Sequence, residues 1–469
     1  MPELPSRSTA TLPTARPAPV LRPPAESLAE HFRRTAELAW PVMMARAGIL
    51  LMAAVDTIMT GRVGAAELAA YGLGNVPFVV FLLFGVGMLT GAVPLIAQAD
   101  GAGRPGDCGR YWWLSLRTGL VLGLFGGAAL LFAGPALEFA GVETDLAAHA
   151  GRVALIFGIG LPFLLMHTAS ALFMEAIGRP LPAMLLMALA NLLNVALNAL
   201  FLYGWLGLPA LGAEGAALGT TIARIFLCIG LGLVVLRFAD GGRYGVHRRI
   251  GAAWAAWRRL LGIGFPFALA QAAETTSFQA VSIFAAWLGT AHIAAYQALN
   301  NILALIFMLS LGIATAVSVR VGNAVGRADA GGRRLAAWVG VGLTLGLTLL
   351  LAPWLIGGRE LAAALYLQEP AVRALAAAAL PVLVLVIVVD GLQVVLLGAL
   401  RGASDIWQPT LRLLAGCWLV LVPAAWLLGV RLEFGLEGLL AAIAIGISVV
   451  ALLLLLRLRS VLAQPIRAL

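Results

Sequence analysis

Apolar stretches of span length recur along the chain at about 36–60, 75–98, 112–134, 150–176, 181–203, 212–236, 261–287, 295–321, 335–356, 372–399, 408–430 and 435–457. Roughly 20 such residues in a helix cross the hydrocarbon core of a bilayer. Ten-residue alternating segments are absent, and an open strand edge cannot satisfy its backbone in lipid, so all twelve are expected to be helices. Residues 1–35 are polar and Pro-rich and predict a disordered cytoplasmic tail. Residues 458–469 predict a second cytoplasmic tail.

The longest basic connection, 237–260, divides the spans into an N-terminal six-helix lobe, 36–236, and a C-terminal six-helix lobe, 261–457. The lobes repeat. Pro41 matches Pro266, Gly64 matches Gly289, Leu68 matches Ile293, Tyr71 matches Tyr296 and Gly101 matches Gly326, all at an offset of 225. Six is an even number, so the repeats share one orientation and are related by an axis along the membrane normal. The expected fold class is therefore an all-α polytopic membrane protein with twelve transmembrane helices in two parallel-repeat lobes. Two such lobes enclose a cavity, the architecture of an alternating-access transporter.

Composition narrows the class. Of 469 residues, 61% are apolar and 11% charged, with a mean hydropathy of +0.97. Less than half the charge of an ordinary soluble domain is present, which excludes a soluble enzyme, a secreted scaffold and a nucleic-acid-binding protein. The net charge of +9 comes from 31 arginines with no lysine. With both termini inside, 24 of those arginines fall on the cytoplasmic side and five (Arg62, Arg152, Arg359, Arg373 and Arg431) outside, the asymmetry of the positive-inside rule. The scattered Cys108, Cys228 and Cys417 have no metal-ligand spacing.

Three acids fall well inside the spans: Asp56, Glu274 and Asp390. A carboxylate at that depth costs ~2.5–3.5 kcal/mol even on the lenient insertion scale, so each needs a reason. Arg46 and Arg224 are read as the only intramembrane arginines, and an ion pair of Asp56 with one of them is the structural explanation for that acid. Two arginines cannot neutralise three acids, which leaves at least one for a proton or cation. Glu274 and Asp390 are expected to have no arginine within their own lobe. Gln271 and Gln393 each lie one turn from an acid, and Asn191, Asn194 and Asn198 form a polar stripe that serves as packing glue or faces Asp56. His167 is read as a packing residue. Pro41, Pro266 and Pro381 interrupt spans and allow bending.

Several strings resemble one family. Val55-Asp56-Thr57-Ile58-Met59, Ala69-Ala70-Tyr71-Gly72 and Pro94-Leu95-Ile96-Ala97-Gln98-Ala99 in the first half, with Gly264-Phe265-Pro266, Ala294-Ala295-Tyr296-Gln297, Ser318-Val319-Arg320-Val321-Gly322 and Gly398-Ala399-Leu400-Arg401-Gly402 in the second, look like the multidrug and toxic compound extrusion (MATE) family. The likeness covers about 36–457 and is nearest the bacterial NorM-like branch. It implies a V-shaped pair of lobes and a secondary antiporter that exports amphipathic organic cations or drugs in exchange for H+ or Na+. It also implies Asp56, Glu274 and Asp390 as coupling acids, and Asn194, Asn198, Gln297 and Asn301, with Gln271 and Gln393, as cavity-lining residues. Any sodium site would use Asp56 with Asn194 and Asn198, or Glu274 with Asp390. Two departures bear on the C-terminal lobe: Tyr296 stands where the family often has His, and Val386 where some members have Tyr. Arg224 near Asp56 favours protons as the coupling ion.

The expected setting is the bacterial inner (cytoplasmic) membrane, multi-pass, as a monomer whose partners are small organic cations and the bilayer, without a cofactor. The alternative is a lipid-linked oligosaccharide flippase of the same broad superfamily, whose cavity would be cationic to hold pyrophosphate. A membrane enzyme is disfavoured, since there is no HExxH, no intramembrane lysine and no Walker sequence. Two non-identical lobes also give no ring of equal ligands, as a channel would need.

Overall fold

The computed structural model describes residues 27–238, 240–248 and 254–466. Twelve long helices run through them: α1 Leu28–Val63, α2 Ala65–Gly101, α3 Pro105–Phe139, α4 Thr144–Ala176, α5 Leu181–Phe201, α6 Gly212–Arg237, α7 Trp254–Trp287, α8 Thr290–Gly326, α9 Ala330–Gly357, α10 Pro370–Gly402, α11 Trp407–Arg431 and α12 Gly435–Ala463. Eleven are long and apolar enough to cross a membrane. The other, α7, has the length, but Arg258, Arg259, Gln271 and Glu274 dilute its apolar character.

Boundaries differ from the sequence expectation at charged ends. Ser27 caps α1, its Oγ accepting from Glu30 N at 3.2 Å, so 28–35 are helical rather than tail. Residues 1–26 lie outside the described part, as do 467–469 of the C-terminal tail, while α12 runs on to Ala463. The connection expected at 237–260 is shorter. Residues 240–248 fold onto the N-terminal lobe: Asp240 pairs with Arg179, Gly109 N donates to Tyr244 O at 2.9 Å, and Trp113 Nε1 donates to Val246 O at 2.8 Å. Burial, and then the Asp100 carboxylate, push the Tyr244 hydroxyl up to about 12, so it stays a donor beside that acid. Pro41, Pro266 and Pro381 lie inside continuous helices.

Each lobe has its own core. Phe78, Trp112, Phe157, Leu161 and Phe173 fill the N-terminal one, and Tyr296, Leu299, Leu380, Leu383 and Leu439 the C-terminal one. Between lobes the fit depends on glycine, as expected where lipid gives apolar side chains no reason to leave it and close packing must supply the attraction. Gly87 and Gly91 of α2 abut Ala268 and Gly264 of α7, and Gly312, Gly322 and Gly326 of α8 abut Met43, Ala97 and Gln98. A Cβ at Gly91 or Gly264 would run into backbone of the other lobe. Gln98 Nε2 also donates across the seam to Gly402 O at 3.1 Å and Ser404 Oγ at 2.9 Å, and Trp257 Nε1 to Thr118 Oγ1 at 3.0 Å.

All of these contacts lie toward the Arg-rich end, where α1 and α7 begin and α2 and α8 finish. Farther along, the same faces are uncovered. Asn301 is eleven residues, or three turns, before Gly312 and so shares its face, yet Asn301 and Gln297 are exposed. Gly72 and Val76 occupy the equivalent positions before Gly87 on α2, and both are exposed too. The lobes therefore touch at the Arg-rich end and part toward the other.

Candidate functional site

Asp56, two turns before the end of α1, is 1% exposed and completely engaged. Its Oδ1 accepts from Asn194 Nδ2 at 3.0 Å and Asn198 Nδ2 at 2.6 Å, and its Oδ2 from Tyr71 Oη at 3.0 Å and Thr220 Oγ1 at 2.6 Å. Four donors from α2, α5 and α6 thus replace the water that a carboxylate loses on burial. Hydrogen bonds to a charged group contribute about 1.5–3 kcal/mol each, enough together to offset that loss. The asparagine stripe divides: Asn194 and Asn198 reach the acid, whereas Asn191 donates to Met187 O at 2.9 Å within its own helix. Tyr71 and Thr220 were not among the residues expected here. His167 is buried, its Nδ1 3.3 Å from Leu227 O.

Neither arginine pairs with Asp56. Arg46 pairs with Glu175 of α4 at 3.3 Å. Arg224 lies within electrostatic reach of Asp56, but its guanidinium rests on Phe78 at 4.4 Å and Phe157 at 5.0 Å, and its Nη1 is buried without a partner. The ring quadrupoles supply what an ion pair was expected to supply.

The C-terminal lobe gathers Glu274, Asp390 and Gln393. The two carboxylates are within electrostatic reach of each other, and Gln393 is within hydrogen-bonding reach of Glu274. Asp390 and Gln393 are buried, at 4% and 1% exposed. The expectation that this lobe offers its acids no arginine is wrong. Arg401, read as a loop residue, belongs to the last turn of α10, lies 4.0 Å above the Phe267 ring and acts electrostatically on Glu274. Hydropathy ends the span near residue 399, but the helix continues to Gly402.

By the repeat offset, Glu274 corresponds to Ile49 on α1, seven residues before Asp56. The acid pair therefore sits roughly 10 Å nearer the Arg-rich end than Asp56, at 1.5 Å of rise per residue. Between the lobes at that end lies a cavity of about 100 Å³ bordered by Gln271 and by both Arg46 and Arg401. Gln297 and Asn301 lie apart from either acid site, on the uncovered face of α8, with Asn301 Nδ2 donating to Gln297 O at 3.0 Å.

The MatE family model matches residues 41–200 and again 266–427, starting at the two equivalent prolines. A probable multidrug resistance protein NorM of Caulobacter vibrioides is 33% identical over 428 residues, covering 90% of each chain. The multidrug resistance protein NorM of Vibrio parahaemolyticus is 32% identical over 90% of this chain and 94% of its own. Among solved structures, one described as the outward-facing conformation of a multidrug resistance MATE family transporter of the MOP superfamily superimposes with a TM-score of 0.84. Its sequence identity is 20%, over 92% of this chain and 96% of that one.

Proposed function

The chain belongs to the MatE family, and from that premise we propose a multidrug efflux antiporter of the NorM type, multi-pass in a bacterial inner membrane, that exports amphipathic organic cations against an inward flow of H+ or Na+. The flippase reading is not favoured by relatives that are multidrug resistance proteins over nine-tenths of the chain. The Arg-rich end faces the cytoplasm in this proposal, with both termini on that side, so the lobes are open outward. Asp56, Glu274 and Asp390 are the coupling acids, and Gln297 and Asn301 line the outward cleft.

The observation that carries the mechanism is the Glu274–Asp390 pair, with Asp390 buried and Glu274 half-buried beside it. Two negative charges repel strongly in a low-dielectric interior, so such a pair is most stable holding one proton or one monovalent cation. An organic cation entering the cleft competes for the same negative charge and drives the ion out, which is the exchange an antiporter requires. Asp56 is enclosed by four hydrogen-bond donors with Arg224 close by, so a coupling ion meets more competition there than at the Glu274–Asp390 pair. The protein works as a monomer in this scheme, because each lobe completes its own acid site from its own helices.

Ethidium uptake into inverted proteoliposomes, driven in turn by an imposed pH gradient and an imposed sodium gradient, tests the reading. Uptake under one gradient and none without either is expected. No uptake of any lipophilic cation by correctly inserted protein would return the flippase to contention.

A further inference from the structure

The two arginines that border the interlobe cavity come from opposite lobes, Arg46 on α1 and Arg401 on α10. Their pairing is incomplete. Arg46 meets Glu175 through one nitrogen, with contacts of 3.3 and 3.4 Å, longer than the 2.7–2.9 Å of a strong charge-assisted bond. Arg401 has Glu274 within electrostatic reach but makes no hydrogen bond to it, and its cationic face is taken by Phe267. In both residues Nε is buried with no partner.

The repeat explains how two cations come to face one space. Arg46 corresponds to Gln271 at the offset of 225. Glu175 and Arg401 also correspond, each standing three residues before a left-handed residue that ends its helix, Gly178 at φ 76° and Ser404 at φ 74°. One lobe thus has Arg opposite Glu, and the other has Gln opposite Arg. The acid that would have closed the second pair is replaced by a cation, and the unspent donors meet at the seam.

A buried donor on a charged group left without an acceptor costs more than about 1–3 kcal/mol, so an acceptor is expected in the space. The other polar lining groups do not supply it from the protein. Neither Nε reaches a lining oxygen: the Thr90 and Thr315 hydroxyls turn to Val86 O and Leu311 O in their own helices, and the Gln271 and Ser318 side chains make no hydrogen bond to either arginine. The cavity has room for a compact anion between the two guanidiniums.

We propose that this cavity is an anion site, taking a halide or a carboxylate group between Arg46 and Arg401 and thereby joining the lobes at the Arg-rich end. It goes beyond the export reading and does not depend on it, since its readout is binding.

The test uses the purified full-length protein in detergent, at fixed pH and ionic strength. Chloride, bromide, acetate or benzoate replaces the bulky sulfonate anion of a buffer salt. A saturable rise of the thermal midpoint by roughly 2–4 °C is expected. Halides and acetate acting alike would identify a free anion, and benzoate acting alone the carboxylate end of a larger molecule. Arg401→Gln and Arg46→Gln should abolish the rise, and Arg401→Lys should keep it at higher anion concentration. Should the glutamine variants fail to fold, crystals of the unaltered protein grown in bromide decide, with an anomalous peak expected between the two guanidiniums. A midpoint indifferent to the anion, an undiminished rise in folded Arg401→Gln, or a bromide-free cavity overturns the proposal.

Discussion

The two lobes follow one helix plan, yet they bury their acids in different company. In the N-terminal lobe one carboxylate, Asp56, has four protein donors and nothing left to satisfy. In the C-terminal lobe two carboxylates share a site with one glutamine and one arginine held on a ring. A saturated acid is expensive to disturb and slow to exchange. An under-satisfied pair is poised to take a proton or cation and release it. The comparison assigns stability chiefly to one lobe and ion exchange chiefly to the other.

The strongest way to break that division is to neutralise the pair. Glu274→Gln together with Asp390→Asn should abolish gradient-driven transport while shifting the thermal midpoint by only a few degrees. Wild-type transport by this double variant would sink the coupling mechanism. Next in size is the opposite result at Asp56. Asp56→Asn turns an amide N–H₂ toward donors and should destabilise the protein by about 2–4 kcal/mol in a detergent unfolding titration, besides impairing transport. Tyr71→Phe and Thr220→Val each remove one donor and should cost about 1–2 kcal/mol. Adding Arg224→Gln to Asp56→Asn should recover less than about 1 kcal/mol, because the guanidinium rests on rings rather than on the acid. Full recovery would show that the pair is a salt bridge after all.

A third intervention acts on the seam. Cysteines replacing Gln98 and Ser404, whose side chains hydrogen-bond across the seam, should be joined by a short thiol-reactive cross-linker, and Gly264→Val should lower the yield by wedging α7 from α2. An unchanged yield would mean that the glycine seam does not control lobe contact. The smallest perturbation tests the shared orientation of the lobes. Cysteines at the exposed positions Gly242 and Gln368 should react with an impermeant thiol reagent from opposite faces of the membrane, and labelling from one face would refute the twelve-span topology.

The helices and their repeat were legible because each span is a local pattern and the repeat needs only two copies of it. The Asp56–Asn194–Asn198 grouping was legible too, since asparagines at helical spacing in an apolar span demand a partner. Thr220 carried no such signal: it lies 164 residues from Asp56, and a threonine can satisfy itself on the preceding turn. Tyr71 was visible only as the mate of Tyr296, which donates instead to Phe278 O at 3.3 Å. Arg401 was misread for a different reason. A hydropathy window closes at the first charge, whereas a helix buried among other helices can keep a charge inside if a ring or counter-ion receives it.

The segment 240–248 has a consequence for how the chain is made. Its anchors, Arg179, Gly109 and Trp113, are all translated before it. As synthesis proceeds, the first lobe can fasten this segment to itself before α7 has left the ribosome, and the nascent second lobe then emerges from a fixed point on the membrane surface. Each half carries its own fastenings, so the gene behaves as two cistrons fused head to tail. Separate fragments 1–248 and 249–469, made in the same cell, should find each other along the glycine seam and reassemble.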